Sequence, residues 1–174
     1  MSTLYVDNIY SKTGTSQALT IDSSGRILTP TRPSFLVYRS FSDAADTNYS
    51  SNVLVTFDKK QHDIGNSFDL STETYTVPVS GVYHLSWQVR MTNVTSANYV
   101  FTSLYKNGGT HWGDSLYMYG NLEDPQGGTY QSSGMSATAE LSANDTLQLY
   151  VRSSGDTTSR IEAHTTFFSG FLVG

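Results

Sequence analysis

Four histidines are the side chains in this sequence best suited to proton transfer or metal binding. His62, His84, His111 and His164 are spread along the chain without the short spacing that tetrahedral metal sites favour. His84 and His164 would approach each other if their strands were neighbours. A surface or interface position is the better prediction for all four.

Carboxylates in predicted loops could contribute oxygen ligands to a hard cation such as calcium. No spaced ligand motif accompanies them, so the metal question stays open and calcium remains an alternative. Glycine-rich phosphate loops, His-Glu-x-x-His and Gly-x-Ser-x-Gly are absent, and the chain has no cysteine. We predict a protein that is not an enzyme and has no resident cofactor. The loop carboxylates are Asp43, Asp46, Glu123, Asp124 and Asp156.

Aromatic residues gather between positions 110 and 130 among glycine and asparagine. Such side chains supply a large contact area at low entropic cost, which suits recognition. Trp112, Tyr117 and Tyr119 are the predicted receptor contacts. At least half of the aromatic residues in this region could instead fill the core.

The charge pattern excludes one class of partner. Ten Lys and Arg residues are scattered among fifteen Asp and Glu residues, giving a net charge of −5. Phosphate backbones need clustered cations, so nucleic acid is not an expected partner. The start of the chain lacks a secretory pattern and no apolar run is long enough for a membrane helix, so we expect a soluble protein without membrane insertion, made in a cytoplasm.

The elements that must position these residues are strands. The sequence is rich in Tyr, Phe, Thr and Ser, and short apolar runs recur between turn residues, which is typical of an all-β sandwich or jelly roll. Alternation is clearest at 81–91, where Tyr83, Leu85 and Trp87 share one face. The predicted strands are 34–41, 52–58, 67–70, 73–77, 81–91, 99–106, 115–119, 134–140, 145–152 and 162–173.

Residues 1–32 form a separate segment, followed by a domain at 33–174. Asp22-Ser23-Ser24-Gly25 predicts a hairpin turn, because Asp bonds its own turn and Gly accepts positive φ. This segment has too few large apolar residues to bury a core alone. Pro30 and Pro33 mark the boundary.

The last strand has two apolar faces, and a two-layer sandwich has only one interior. The second face predicts a subunit contact or a cover from the N-terminal segment, although a loop of the same chain could also cover it. We predict that Phe168, Gly170 and Leu172 form the contact. Their predicted polar neighbours are His84, Gln88, Tyr150 and Arg152.

Three motifs in order resemble the C1q domain signature: residues 57–87 with Gly81-Val82-Tyr83, residues 141–149, and the closing Phe168-Ser169-Gly170-Phe171-Leu172. The resemblance covers about 33–174 and implies a C1q/TNF-like ten-stranded antiparallel jelly roll. It further implies a homotrimer that binds partners through its outer loops and apex. A secreted animal role is not expected, since neither a leader nor a collagen repeat is present.

The N-terminal segment resembles short repeats in the tail and head fibres of bacteriophages, especially those of marine cyanobacteria. The matching residues are Leu4, Val6, Asp7 and Ile9, followed by 13–15 and 18–26. This resemblance implies a virion surface protein whose Leu4, Val6 and Ile9 anchor it to a phage structural protein. The jelly roll would bind a host receptor or glycan.

Two alternatives stay open at this stage. The trimer could decorate or cement a capsid without binding a receptor. It could also be a secreted binding ligand of the TNF or C1q type, although the start of the chain does not favour secretion.

Overall fold

The computed structural model describes residues 6–10, 17–44, 48–94, 99–109, 119–123, 130–154 and 159–174, with Gln17, residues 119–123 and Ser154 described by their backbone alone. Regular structure in these ranges consists of β-strands, which confirms the all-β class. No helix that could cross a membrane occurs in the described ranges.

The N-terminal residues form a small antiparallel sheet. Its strands, in spatial order, are β1 (Asn8–Tyr10), β2 (Gln17–Ile21) and β3 (Ile27–Leu28). The turn between β2 and β3 is closed by the carboxylate of Asp22, which accepts the N–H groups of Ser24 and Arg26 at 2.9 Å each. Gly25 takes a φ of +77°, a conformation that costs glycine little. The predicted hairpin is confirmed.

One layer of the main domain is the front sheet. It contains β4 (Ser34–Tyr38), β6 (Lys59–Ile64), β9 (Gly81–Thr92), β12 (Tyr130–Leu141), β14 (Arg160–Ile161) and β15 (Phe167–Leu172). Its order is β12-β9-β15-β4-β6, with β14 paired to β9, and all pairings are antiparallel.

The other layer is the back sheet. It contains β5 (Val53–Leu54), β7 (Phe68–Asp69), β8 (Thr74–Thr76), β10 (Tyr99–Lys106), β11 (Tyr119–Glu123) and β13 (Thr146–Ser154). Its order is β11-β10-β13-β8-β7, with β5 paired to β13. The main paths of the two sheets together supply ten strands, so the predicted jelly-roll sandwich is confirmed, with β5 and β14 as short additions.

The core fills the space between the sheets. Trp87 on β9 is 1% exposed, and its Nε1 donates to Thr102 Oγ1 on β10 at 2.8 Å, joining the two layers. Phe35 stacks on Tyr75 with ring centroids 4.1 Å apart and meets Phe168 edge-on at 4.9 Å. Aromatic pairs of this kind add about 0.5–1.5 kcal/mol each beyond the area that they bury.

Several strands differ from the prediction; β11 begins at Tyr119, where the predicted strand 115–119 ends, and β15 covers only part of the predicted strand 162–173. The sequence Lys59-Lys60-Gln61-His62-Asp63-Ile64 was not predicted to be a strand, yet it forms β6 at an edge of the front sheet. Edge strands tolerate charged residues, which also oppose pairing with other chains. The predicted strand 52–58 shortens to β5, because residues 55–58 leave the ladder.

Candidate functional site

The outward face of the front sheet carries an aromatic residue that the chain leaves uncovered. Phe171 of β15 lies opposite His84 of β9, with ring centroids 5.2 Å apart. Phe171 is 45% exposed and the following Val173 is 46% exposed. Exposed apolar side chains that lie together on a sheet face mark a surface that a partner can cover.

The predicted contact side of β15 faces inward. Phe168 pairs in register with Trp87 and is fully buried in the core. A Cβ added to Gly170 would come within 2.8 Å of the Leu85 side chain, so this residue also lies against the core. Leu172 packs partly buried against the same core. The outward placement of these three residues was wrong, because both faces of β15 are apolar and its pairing with β9 decides which face is inside.

The four predicted polar neighbours divide between the two sheets. His84 and Gln88 lie on the outward face of the front sheet, where Gln88 Nε2 donates to Thr165 O at 3.1 Å. Tyr150 and Arg152 lie on β13 in the back sheet. The four predicted residues therefore do not share one face, and His84 and Gln88 lie on the same outward face as Phe171.

Charged side chains are scarce on the outward face of the front sheet. Among the described outward positions of β4, β9, β12 and β15, only Arg90 and Glu140 are charged; the edge strand β6 adds Lys59 and the short β14 adds Arg160. The Arg90 guanidinium lies over the Tyr130 ring, 4.3 Å from its centroid. Removing charges from water is costly, so a face with few of them can be buried at low cost. These properties suit a protein contact.

Both ends of the domain's backbone lie at one end of the sandwich, which we name the terminal end. The carbonyl of Pro33 accepts the N–H of Leu172 at 3.0 Å, and that of Gly174 accepts the N–H of Val82 at 2.9 Å. A segment attached before Pro33 therefore leaves the domain beside β15.

The predicted receptor residues belong to the connection between β10 and β11. Trp112 and Tyr117 lie outside the described residues. Tyr119 opens β11 and pairs with Ser103. The connection starts at the terminal end, where the N–H of Asn107 donates to the carbonyl of Thr146, the first residue of β13, at 2.8 Å. The sequence could not show which end of the sandwich this connection leaves from.

The predicted anchor residues lie in or before the N-terminal sheet. Ile9 is on β1 and is 46% exposed, and Val6, two residues before that strand, is partly buried. Leu4 lies outside the described residues. Their attachment to a particle stays a prediction.

A buried carboxyl missed by the sequence reasoning lies between β7 and β8. Glu73 has a φ of +55°, and its carboxylate accepts the N–H of Phe57 at 3.0 Å. Burial raises its pKa to about 7, against the opposing effects of that hydrogen bond and of Arg39. Arg39 is itself buried, ion-paired with Asp43 and bonded to Thr56 Oγ1 at 2.7 Å. These mutual contacts in the interior indicate a structural role.

The histidines and loop carboxylates do not converge in the described part of the chain. His84 lies opposite Phe171, whereas His164 lies beyond the level of Arg90, about 20 Å further along the sheet. No three His, Asp or Glu residues of the described ranges group as metal ligands. Asp43 forms an ion pair with Arg39. Asp46, Asp124 and Asp156 lie outside the described ranges, so calcium binding by these carboxylates is not tested.

The comparisons with known proteins agree with this geometry. The family model of the C1q domain matches residues 35–173. The globular domain of zebrafish complement 1qA protein is similar in structure, with a TM-score of 0.59 and 19% identity over 82% of this chain and 98% of that one. Murine APRIL, crystallised at pH 5.0, has a TM-score of 0.60 and 15% identity over 82% and 99%. No curated protein sequence matches the chain.

The two structural neighbours support the fold alone, because their identities are low. The family match rests on the sequence and spans most of the chain. Domains with this fold are typically trimeric and are generally binding modules without enzymatic activity. From Phe35 to Val173, this chain therefore belongs to the C1q domain family.

Proposed function

We propose that the protein is a homotrimeric virion surface protein, a fibre component whose jelly-roll head binds a receptor or glycan on the host cell. In this proposal, the N-terminal segment attaches the head to the phage particle. The observation that carries the trimer is the uncovered, charge-poor face of the front sheet, on a domain whose family typically forms trimers.

The trimer contact is assigned to the outward face around Phe171, His84 and Gln88. A hydrophobic centre with few charges is the usual composition of a permanent interface between identical subunits. Arg90 and Tyr130 lie further along β9 and β12, where a polar rim can stay in contact with water.

The virion role is supported by the resemblance of residues 4–26 to phage fibre repeats and by the position of Pro33. The N-terminal segment joins the head at the terminal end, from which the connection between β10 and β11 also leaves, so we assign the host contact to the outer surface of the head beside that end. Three heads on each fibre would turn weak single contacts into strong attachment through avidity.

Light scattering on the full chain and on a truncation starting at Pro33 tests the assembly. The truncation keeps the buried core, which begins at Phe35. We expect three times the chain mass for both proteins. A monomeric full chain would refute the trimer, and a monomeric truncation would show that residues 1–32 drive assembly.

Adsorption of phage particles to host cells tests the receptor. Replacing Trp112, Tyr117 and Tyr119 together by Ala should reduce adsorption, with trimer mass and particle number unchanged. Replacing the exposed Val79 by Ala, in the turn before β9, is the control and should leave adsorption unchanged. If the triple variant adsorbs normally and its particles are less stable, the protein is a capsid decoration protein instead.

A further inference from the structure

Four aliphatic side chains lie together on one face of the N-terminal sheet. Ile9 pairs with Leu19, and Ile21 pairs with Ile27, so the four side chains share one side of the sheet. Ile9, Ile21 and Ile27 are 46%, 37% and 68% exposed. We name these four residues the aliphatic face.

The opposite side of this sheet is more polar than the aliphatic face. Asn8, Thr20 and Leu28 occupy it, in register with one another. The charges of the nearby turn, Asp22 and Arg26, are paired with each other at 2.7 Å. The charged residue on the side of the aliphatic face is Asp7, which is exposed just before β1 and lies opposite Ile21, whose N–H donates to the Asp7 carbonyl at 2.8 Å. A sheet of three short strands is marginal in water unless such a face is covered.

The linker between Leu28 and Pro33 is short, so the N-terminal sheet lies near the terminal end of the head. Leu28 is five residues before Pro33, so the two lie within about 17 Å of each other. The carbonyl of Pro33 is bonded to Leu172 of β15, the strand that carries Phe171. In a trimer formed through the front sheets, three linkers would leave side by side. The three N-terminal sheets would then be held at an effective concentration in the millimolar range.

We propose that the aliphatic face packs against the same face of two other copies of this chain, forming a second and smaller core next to the jelly-roll trimer. This inference rests on the trimer of the proposed function. Three identical aliphatic faces can meet around a threefold axis by apolar burial, with the exposed Asp7 of each copy at the rim of the contact, where it stays in water. The phage particle would then contact the outside of this small core, where Leu28 lies, and Ile9 would belong to the core and not to the anchor.

Two neighbouring substitutions in the full chain test the proposal. Ile27→Ser alters the aliphatic face, whereas Leu28→Ser makes a similar change on the opposite side, at a residue that is 45% exposed. Sedimentation across a dilution series measures trimer dissociation. We expect Ile27→Ser to raise the dissociation constant at least about tenfold, because each trimer loses three buried side chains. Leu28→Ser should leave it within about twofold of the unchanged chain.

Crosslinking gives a second readout that does not depend on stability. The chain has no cysteine, so Ile27→Cys introduces a single thiol, with Ser24→Cys in the exposed turn as the control. A short bismaleimide should link Ile27→Cys copies into dimers much faster than Ser24→Cys copies. Equal crosslinking rates, or equal dissociation constants for the two serine variants, in a protein that is still a trimer would overturn this proposal alone. A full chain that is monomeric would remove both this proposal and the proposed trimer.

Discussion

The two sheets of the sandwich differ in how far their outward aromatic residues are exposed. On the back sheet, Tyr105 stacks on Tyr150 with ring centroids 4.2 Å apart, and only 8% of Tyr105 is exposed. Its hydroxyl accepts a hydrogen bond from Asn52. On the front sheet, Phe171 is 45% exposed. The chain buries the outward Tyr105 of the back sheet itself and leaves the outward Phe171 of the front sheet half exposed.

A short stretch of chain around β5 lies beside the tyrosine pair of the back sheet, where Asn52 contacts Tyr105. This strand pairs with β13 through Val53 and Leu54. The segment that follows is held by the N–H of Phe57, which donates to the Glu73 carboxylate. On the front sheet, the Phe171 ring meets His84 and stays half exposed.

The largest effect is expected at Phe168, on the inner side of β15. Phe168→Ala should cost about 3–5 kcal/mol of unfolding free energy, because it leaves a cavity among buried aromatic rings. Denaturant unfolding of the full chain measures this loss. Phe171→Ala is the matched control and should cost well under half as much when measured on the dissociated chain. Equal losses would mean that the assignment of the two faces is wrong.

The next largest effect is expected at Phe171 itself. Phe171→Glu places a charge in the proposed contact, and we expect the trimer dissociation constant to rise at least about 100-fold, because a buried unpaired charge is strongly unfavourable. Sedimentation measures it, and circular dichroism should show an unchanged fold. Val79→Glu, a charge at another residue that is 43% exposed, should leave the trimer intact. A stable Phe171→Glu trimer would place the contact on another surface.

A smaller and pH-dependent effect is expected at Glu73, whose carboxylate accepts the N–H of Phe57 in the segment after β5. Its pKa rises from 4.5 to about 7 in the folded chain. The folded chain therefore binds more protons than the unfolded chain between these values, and stability falls as pH rises through that window. The loss that this residue contributes is up to about 3 kcal/mol.

Glu73→Gln tests this dependence, because Gln keeps an oxygen that can accept the N–H of Phe57 and cannot ionise. The variant should gain stability relative to the unchanged chain as pH rises from 4.5 to 7. Unfolding free energies at several pH values measure the difference. A constant difference across this range would show that Glu73 is ionised throughout it.

The smallest effect is expected at Tyr105. Tyr105→Phe keeps the stacked ring and removes the hydroxyl that contacts Asn52, so we expect a loss of about 1 kcal/mol in unfolding free energy and an unchanged trimer. Denaturant unfolding and light scattering measure the two quantities. A weakened trimer would indicate that the back sheet also contributes to assembly.

The sequence by itself determined the fold class and most of the core. The alternation of Tyr83, Leu85 and Trp87 with polar residues can be satisfied by one strand orientation only, with the apolar side inward, and the structure has them all buried. The C1q motifs place the remaining strands in order. The N-terminal hairpin could be predicted because Asp22 and Gly25 determine the turn locally.

Only the tertiary structure decided which surfaces remain for function. The two faces of β15 are similarly apolar, so their pattern cannot distinguish Phe168 from Phe171, and pairing with the strongly alternating β9 makes that choice. The polar strand β6 forms because β4 offers it an edge to pair with. Tyr150 and His84 have similar alternating surroundings in sequence, yet lie in different sheets. These properties depend on contacts between residues far apart in the chain, which local patterns do not encode.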